Sequence, residues 1–183
     1  MTWKVDPSHS RIEFSAKHMM IFTVRGRFDK FNIELDYNEK APARSTAEVQ
    51  IEAGSISTNE PQRDGHLKSP DFLDVANHPY ISFKSTRVEP LDDTHARLLG
   101  DLTIRDITQP VTLEIEYAGQ AKTPWGTTNV AFSARTVISR KDWNLNWNQV
   151  LETGGVLVSD QISIDIALEA IKQAELEAVA VPA

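Results

Sequence analysis

The chain has 183 residues, a net charge of −7 and no cysteine. That length suits one domain of roughly 100–200 residues. The acidity argues against a nucleic-acid footprint and against docking on anionic lipid headgroups, and the missing cysteine excludes disulfide staples and thiolate chemistry.

At the start, Met1-Thr2-Trp3-Lys4-Val5-Asp6-Pro7 offers neither a basic n-region nor an apolar h-region. A cytoplasmic location is therefore expected, or a periplasmic one if a leader has been removed. Ile12, Phe14, Ala16 and His18 then alternate with Arg11, Glu13, Ser15 and Lys17, the mark of a strand with one dry face. Met19-Met20-Ile21-Phe22 follows and reads either as a flexible apolar rim or as ordinary packing. In the next strand Val24, Gly26 and Phe28 hold one phase, while Phe31, Ile33 and Leu35 hold the other. A β-bulge near Asp29-Lys30 would put both sets on one face; two separate short strands are the alternative. Ala47, Val49, Ile51 and Ala53 alternate again. From Asn59 to Pro79 the period of two is lost. Residues 61–67 and 71–74 read as short helical turns there, and a connection of about twenty residues is too long for a plain loop. It is expected to lie across a barrel end.

Alternation returns in Ile81 and Phe83, in Ala96, Leu98, Gly100, Leu102 and Ile104, in Val111, Leu113, Ile115 and Tyr117, and in Ile162, Ile164, Ile166 and Leu168. Residues 169–177 read as helical, so the domain is taken as 1–171 and a helical or frayed tail as 172–183. The runs total about eight or nine strands, and no long amphipathic helix can cover their dry face. Such a sheet closes on itself or stacks on another. An all-β, eight-stranded antiparallel barrel is the first architecture, and a β-sandwich the second.

No metal-ligand spacing such as H-x-H links His9, His18, His66, His78 and His95, and no phosphate loop, dinucleotide fingerprint or nucleophile elbow occurs. No metal or cofactor is expected. The most chemically loaded string is Arg63-Asp64-Gly65-His66. Asp64 orienting His66 would make a general base, and Arg63 could meet an anionic headgroup. The simpler reading has Asp64 capping a helical turn and Arg63 pairing with a carboxylate on the wall. His18 closes an inward stripe, as a polar contact or as a hydrogen-bonded core residue. Trp143 and Trp147 read as plugs of a barrel end, with stacking on a ligand as the alternative.

In order along the chain, Trp3-Lys4-Val5-Asp6-Pro7-Ser8-His9-Ser10, Phe14-Ser15-Ala16-Lys17-His18-Met19-Met20, Thr23-Val24-Arg25-Gly26-Arg27-Phe28, the loop from Arg63-Asp64-Gly65-His66 to Asp71-Phe72-Leu73-Asp74, Gly100-Asp101-Leu102-Thr103-Ile104, and Arg140-Lys141-Asp142-Trp143 through Val158-Ser159-Asp160 resemble the YceI-like family. The resemblance covers roughly residues 2–170. Asn144 and Asp106 stand where the family commonly has Gly; both residues suit turns.

The resemblance implies a lipocalin-like barrel with an elongated apolar pocket for polyisoprenoid lipids, such as polyprenyl phosphates or isoprenoid quinones, which the protein binds, transports or sequesters. It implies no enzymatic activity and admits a homodimer; neither nucleic acid nor membrane insertion is expected. Expected ligand contacts on the first half of the chain are Ile12, Phe14, Val24, Phe28, Phe31, Ile33, Ile51 and Phe72. On the second half they are Ile81, Phe83, Leu113, Ile115, Phe132, Ile164 and Ile166, with His18, Arg63 and His66 at the headgroup or rim. Two other readings stay open: an enzyme using His18, or His66 beside Asp64, on a small apolar substrate, and a filled barrel with a structural or interaction role.

Overall fold

The computed structural model describes residues 2–173. Its strands are β1 (Thr2–Val5), β2 (Arg11–His18), β3 (Phe22–Phe28), β4 (Phe31–Asp36), β5 (Thr46–Glu52), β6 (Ile56–Ser57), β7 (Tyr80–Pro90), β8 (His95–Ile104), β9 (Ile107–Lys122), β10 (Thr128–Ser139) and β11 (Val158–Lys172). One α-helix, α1 (Pro61–Lys68), joins β6 to β7. The order β1-β4-β5-β7-β8-β9-β10-β11 returns to β1, so the sheet closes, and all its pairings are antiparallel. β2 lies between β11 and β3, and β6 beside β3. β1 with β2, β3 with β4, and β5 with β6 are thus three interrupted staves of an eight-stave, up-and-down barrel. Closure through β1 and β11 pairs the long staves on both sides, which is how such a sheet avoids pairing with other chains; β6 and the first half of β3 are left without a strand on their outer side.

The three interruptions sit side by side at one level and form a crease. They fall at residues 6–10, 29–30 and 53–55. Each is bridged by bonds that replace the ladder. The Asp6 amide donates to the Glu169 carbonyl at 2.8 Å. The Ser10 hydroxyl accepts from the Glu169 amide at 3.0 Å and donates to its carbonyl at 3.3 Å. Asp29 N–H reaches the Ser55 carbonyl at 3.2 Å, and Lys30 N–H reaches the Ser55 hydroxyl at 3.1 Å. A two-residue break therefore stands where a bulge was the first expectation. It has the same effect on phase: Val24 and Phe28 before it and Ile33 and Leu35 after it all face the interior.

Chain direction sends the two long connections, 58–79 and 140–157, to one end of the barrel, the helix end. The tight loops 37–45, 91–94 and 123–127 lie at the other, the hairpin end. Residues 61–67 are helical as read from the sequence, and α1 runs one residue further; residues 70–73 form a turn, with Phe72 N–H on the Ser69 carbonyl at 3.0 Å. The expected tail helix does not begin at Glu169. β11 continues through Lys172, because Ala170 is wholly buried between Val130 and Val5 and so stays in the ladder. The tail from residue 174 lies outside the described residues.

Candidate functional site

The barrel is hollow. Its interior holds a cavity of about 1330 Å³ that runs from the helix end to the hairpin end. The inward face of β11 alone, Ile162 to Leu168, lines it for roughly 20 Å of strand at ~3.3 Å per residue. An eight-stranded barrel can be filled by its own side chains; two features keep this one open. Inward positions are small at Ala16, Ala47, Ala96 and Ala134. The largest mid-wall rings also lie flat. Phe14 covers Gly26 on the neighbouring strand, where an added Cβ would stand 2.3 Å from its ring. Phe83 covers Gly100 in the same way at 2.4 Å. Each glycine makes room for a ring that would otherwise project into the lumen.

Of the residues expected to meet a ligand, the structure brings Ile12, Phe14, Val24, Phe28, Ile33, Ile51, Phe72 and Ile81 to the cavity. Phe83, Leu113, Ile115, Phe132, Ile164, Ile166, His18, Arg63 and His66 line it too. Phe31 does not. It begins β4 beside the crease and packs on the buried core instead. Sequence reasoning missed Tyr37, Val49, Leu98, Trp147 and Ile162, among others. Most of these continue an alternation already visible, so parity could have found them. Tyr37 and Trp147 lie in loops, where parity gives no signal.

At the helix end, α1 is capped by Glu60, whose carboxylate accepts from the Gln62 and Arg63 amides. Asp64 is therefore not the cap. Its carboxylate takes the Thr58 amide at 2.8 Å and the Thr58 hydroxyl at 2.6 Å. Arg63 does not pair with a wall carboxylate either; Nε donates to the Thr58 hydroxyl at 2.7 Å and the guanidinium reaches the Thr58 carbonyl at 3.0 Å. The two side chains clamp α1 to the end of β6. His66 turns away from Asp64 and meets Asp71 at 2.8 Å. Its ring stands edge-on to Trp147 at 4.5 Å and to Phe72 at 5.1 Å. The Asp64–His66 base is thus corrected: the geometry gives a clamp and a separate aromatic cluster, because Thr58 offers Asp64 two donors close by.

Trp143 and Trp147 divide the roles expected of both. Trp143 is buried and donates its indole N–H to the Leu102 carbonyl at 3.0 Å, a plug; Trp147 lines the cavity. Arg140 holds this connection down. Buried to 3% exposure, it donates to the carbonyls of Leu145, Trp147 and Ser159 and faces Asp160 at 3.6 Å. Burial pulls its pKa below the ordinary arginine value, and the nearby Asp160 opposes that shift.

At the hairpin end Tyr37 meets Trp3, Tyr117 and Phe132 with ring centroids 5.0–6.3 Å apart. Trp3 donates its indole N–H to the Tyr37 carbonyl at 3.1 Å. Burial, then Tyr117 and Glu39, raises the Tyr37 hydroxyl above its usual pKa. Glu39, Asp92, Asp93 and His95 complete the lining here.

Among the described residues one group has the makings of a metal site. Asp6, His9 and Glu169 bring ligating atoms within 4.8 Å of one another at the crease, away from the cavity lining. All three already have partners: Asp6 holds Ser8 and His9, and Glu169 holds Asn129.

A closed antiparallel barrel of eight staves around an apolar bore is the architecture of the lipocalin-like binding folds. Residues 3–170 match the YceI-like domain, and the chain belongs to that family. It is 36% identical over 167 residues to a UPF0312 protein of Staphylococcus aureus, covering 90% of this chain and 94% of that one. Among solved structures, BcnA of Burkholderia cenocepacia superposes with a TM-score of 0.80 at 21% identity, covering 91% of this chain and 99% of that one. A polyisoprenoid-binding domain from Saccharophagus degradans superposes with a TM-score of 0.63 at 14% identity, covering 92% and 97%. At these identities the structural likenesses speak for the fold.

Proposed function

We propose that this protein binds a long-chain polyisoprenoid lipid in its bore, as a carrier or a sequestering module rather than an enzyme. The observation that carries the reading is the cavity itself. Its volume of about 1330 Å³ exceeds the roughly 300–1,000 Å³ of ordinary small-molecule pockets. Its walls are Ile, Leu, Val and Phe for most of its length, with polar side chains concentrated at the two ends. Water needs two to four polar partners to settle in a cavity, and these walls supply few. An apolar chain needs none. Membership of the YceI-like family supports a lipid-binding barrel, and the fold shared with the polyisoprenoid-binding domain of Saccharophagus degradans supports the ligand class.

Affinity then comes from the tail, at about 0.8 kcal/mol per buried methylene, less the cost of ordering a flexible chain. The head sets selectivity. At the hairpin end Glu39, Asp92 and Asp93, with His95 beside them, repel a phosphate, whereas at the helix end Lys17, His18, Arg63 and His66 outnumber the one carboxylate, Glu60, that caps α1. An anionic head therefore sits at the helix end. The Asp64–His66 pair of the enzyme reading does not form, since Asp64 is held by Thr58 and His66 meets Asp71 instead.

Lipid extraction and mass spectrometry of the natively purified protein tests this, followed by titration with a prenyl phosphate. A co-purified prenyl lipid and saturable uptake are expected. Ala134→Phe fills the bore and is expected to lower uptake at least tenfold while the far-ultraviolet spectrum stays that of a β-protein. A protein that carries no lipid and takes up none overturns the reading.

A further inference from the structure

The turn joining β2 to β3 has the wrong residues for its shape. Met19 and Met20 have φ of 50° and 67°, and Ile21 N–H closes the turn on the His18 carbonyl at 3.3 Å. Two left-handed residues in succession are what Asn-Gly supplies, and a Cβ is sterically penalised there by the carbonyl that follows it. The β8–β9 turn has the same conformation at Arg105 and Asp106, but there the guanidinium is held by the Phe72 carbonyl at 3.0 Å. Met19 and Met20 have no such polar tether.

This strained tip is also the most apolar exposed stretch of the barrel. Met19, Met20, Ile21 and Phe22 are 43%, 62%, 74% and 61% exposed. Beside them lies the 150–156 hairpin: Met19 N–H bonds to the Leu157 carbonyl at 2.9 Å, Met20 packs on Gly155, and Val150, bridged to Val156, is 80% exposed. Despite a net charge of −7, the charged residues that bracket the tip on its own strands are Lys17 and Arg25, and the adjoining hairpin carries one acid, Glu152. His18 and Leu157, its direct neighbours, line the cavity. Apolar surface therefore runs from the bore outward onto the tip.

We propose that this tip docks the helix end of the barrel onto an uncharged lipid bilayer, with Met19–Phe22 in the headgroup–acyl boundary and Lys17 and Arg25 at the level of the lipid phosphates. Backbone strain at an exposed site points to a function that holds it there. Convex apolar residues flanked by basic ones are the pattern of interfacial insertion. A second copy of the chain is a poorer occupant, because a stable dimer needs about 800 Å² from each partner and a hairpin tip is too small and too convex. The purpose of docking, transfer of a lipid between bilayer and bore, rests on the carrier reading above; the docking itself does not.

Co-sedimentation with phosphatidylcholine vesicles tests it, comparing the full chain with a Met19→Asn/Met20→Gly variant, neither residue of which lines the bore. The full chain is expected to partition onto vesicles and the variant at least tenfold less, with a thermal midpoint equal to or above that of the parent, since Asn-Gly relieves the turn. Equal partition of both proteins, or none by the parent, overturns the proposal, as does concentration-dependent self-association that the variant abolishes. A prenyl phosphate offered in solution is the separate arm. Uptake by both proteins without vesicle binding sinks the docking and spares the carrier; vesicle binding lost in the variant without uptake by either sinks the carrier and spares the docking.

Discussion

The two ends of the barrel close the same bore by different chemistry. At the hairpin end, rings pack on rings: Trp3, Tyr37, Tyr117 and Phe132 form a plug continuous with a buried cluster that includes Val130 and Ala170. At the helix end, long connections are tied down by side chains that satisfy backbone, as Arg140 does for 145–159 and Asp64 and Arg63 do around Thr58. Packing of the first kind is part of the wall and parts only when the wall does. Clamps of the second kind can be released one at a time. The helix end is therefore the more readily opened of the two, and local unfolding should begin there.

The largest effect that would sharpen this contrast comes from Arg140→Ala. It strands the carbonyls of Leu145, Trp147 and Ser159 and leaves Asp160 to Lys141 alone, so a loss of about 3–5 kcal/mol is expected in urea unfolding. Amide exchange in 140–157 should quicken well before that of β1 or β11. If both ends loosen together, the contrast is wrong.

Gly100→Ala tests the wall between the ends. The new methyl would lie 2.6 Å from the Lys84 carbonyl as well as against Phe83, and backbone does not yield as a ring does. A loss of about 1–3 kcal/mol is expected. Gly26→Ala finds its three nearest atoms all in the Phe14 ring, which can swing into the lumen. Its stability should fall less and its prenyl lipid uptake more, as titration would show.

Thr58→Val removes the hydroxyl shared by Arg63 and Asp64. The expected cost is about 1–2 kcal/mol, with faster exchange confined to α1. A matching change at the hairpin end would contradict the separation.

The smallest effect is at the crease, which belongs to neither end. Bonds from Ser8 and then His9 hold the Asp6 carboxyl down to about 2, and Asp6 in turn, with Glu169, raises His9 above its usual value. The Asp6 contribution is present above its unfolded pKa of about 3.9 and is lost as pH falls towards 2. The His9 contribution is full below about 6.5 and is lost as pH rises through its raised folded value. The melting difference between the parent and Asp6→Asn should accordingly be widest near pH 5, close towards pH 2 and narrow again above neutrality. A difference flat with pH would remove the pair from the account.

Period two made the staves legible, and the lack of a covering helix made closure so. The hollowness was not legible, because it depends on Phe14 facing Gly26 and Phe83 facing Gly100 across strands, and a cross-strand partner needs a register that alternation does not supply. Arg140 escaped notice because arginine is almost never fully buried unless paired. Asp64 was matched to His66, two residues on, although its partner lies six residues upstream. Phe31 followed the parity of Ile33 and Leu35 but stands at the break, where parity stops counting.

The crease carries a consequence for size. Five neighbouring staves, β7 to β11, keep long ladders, while the three beside them are each cut at one level and stitched by a few bonds from Ser10, Ser55 and Lys30. A hoop made wholly of ladders has a single circumference. At the seam the three cut staves can bend by parting a few stitches while the ladders on either side stay intact, so this is the level at which the bore changes its outline most cheaply.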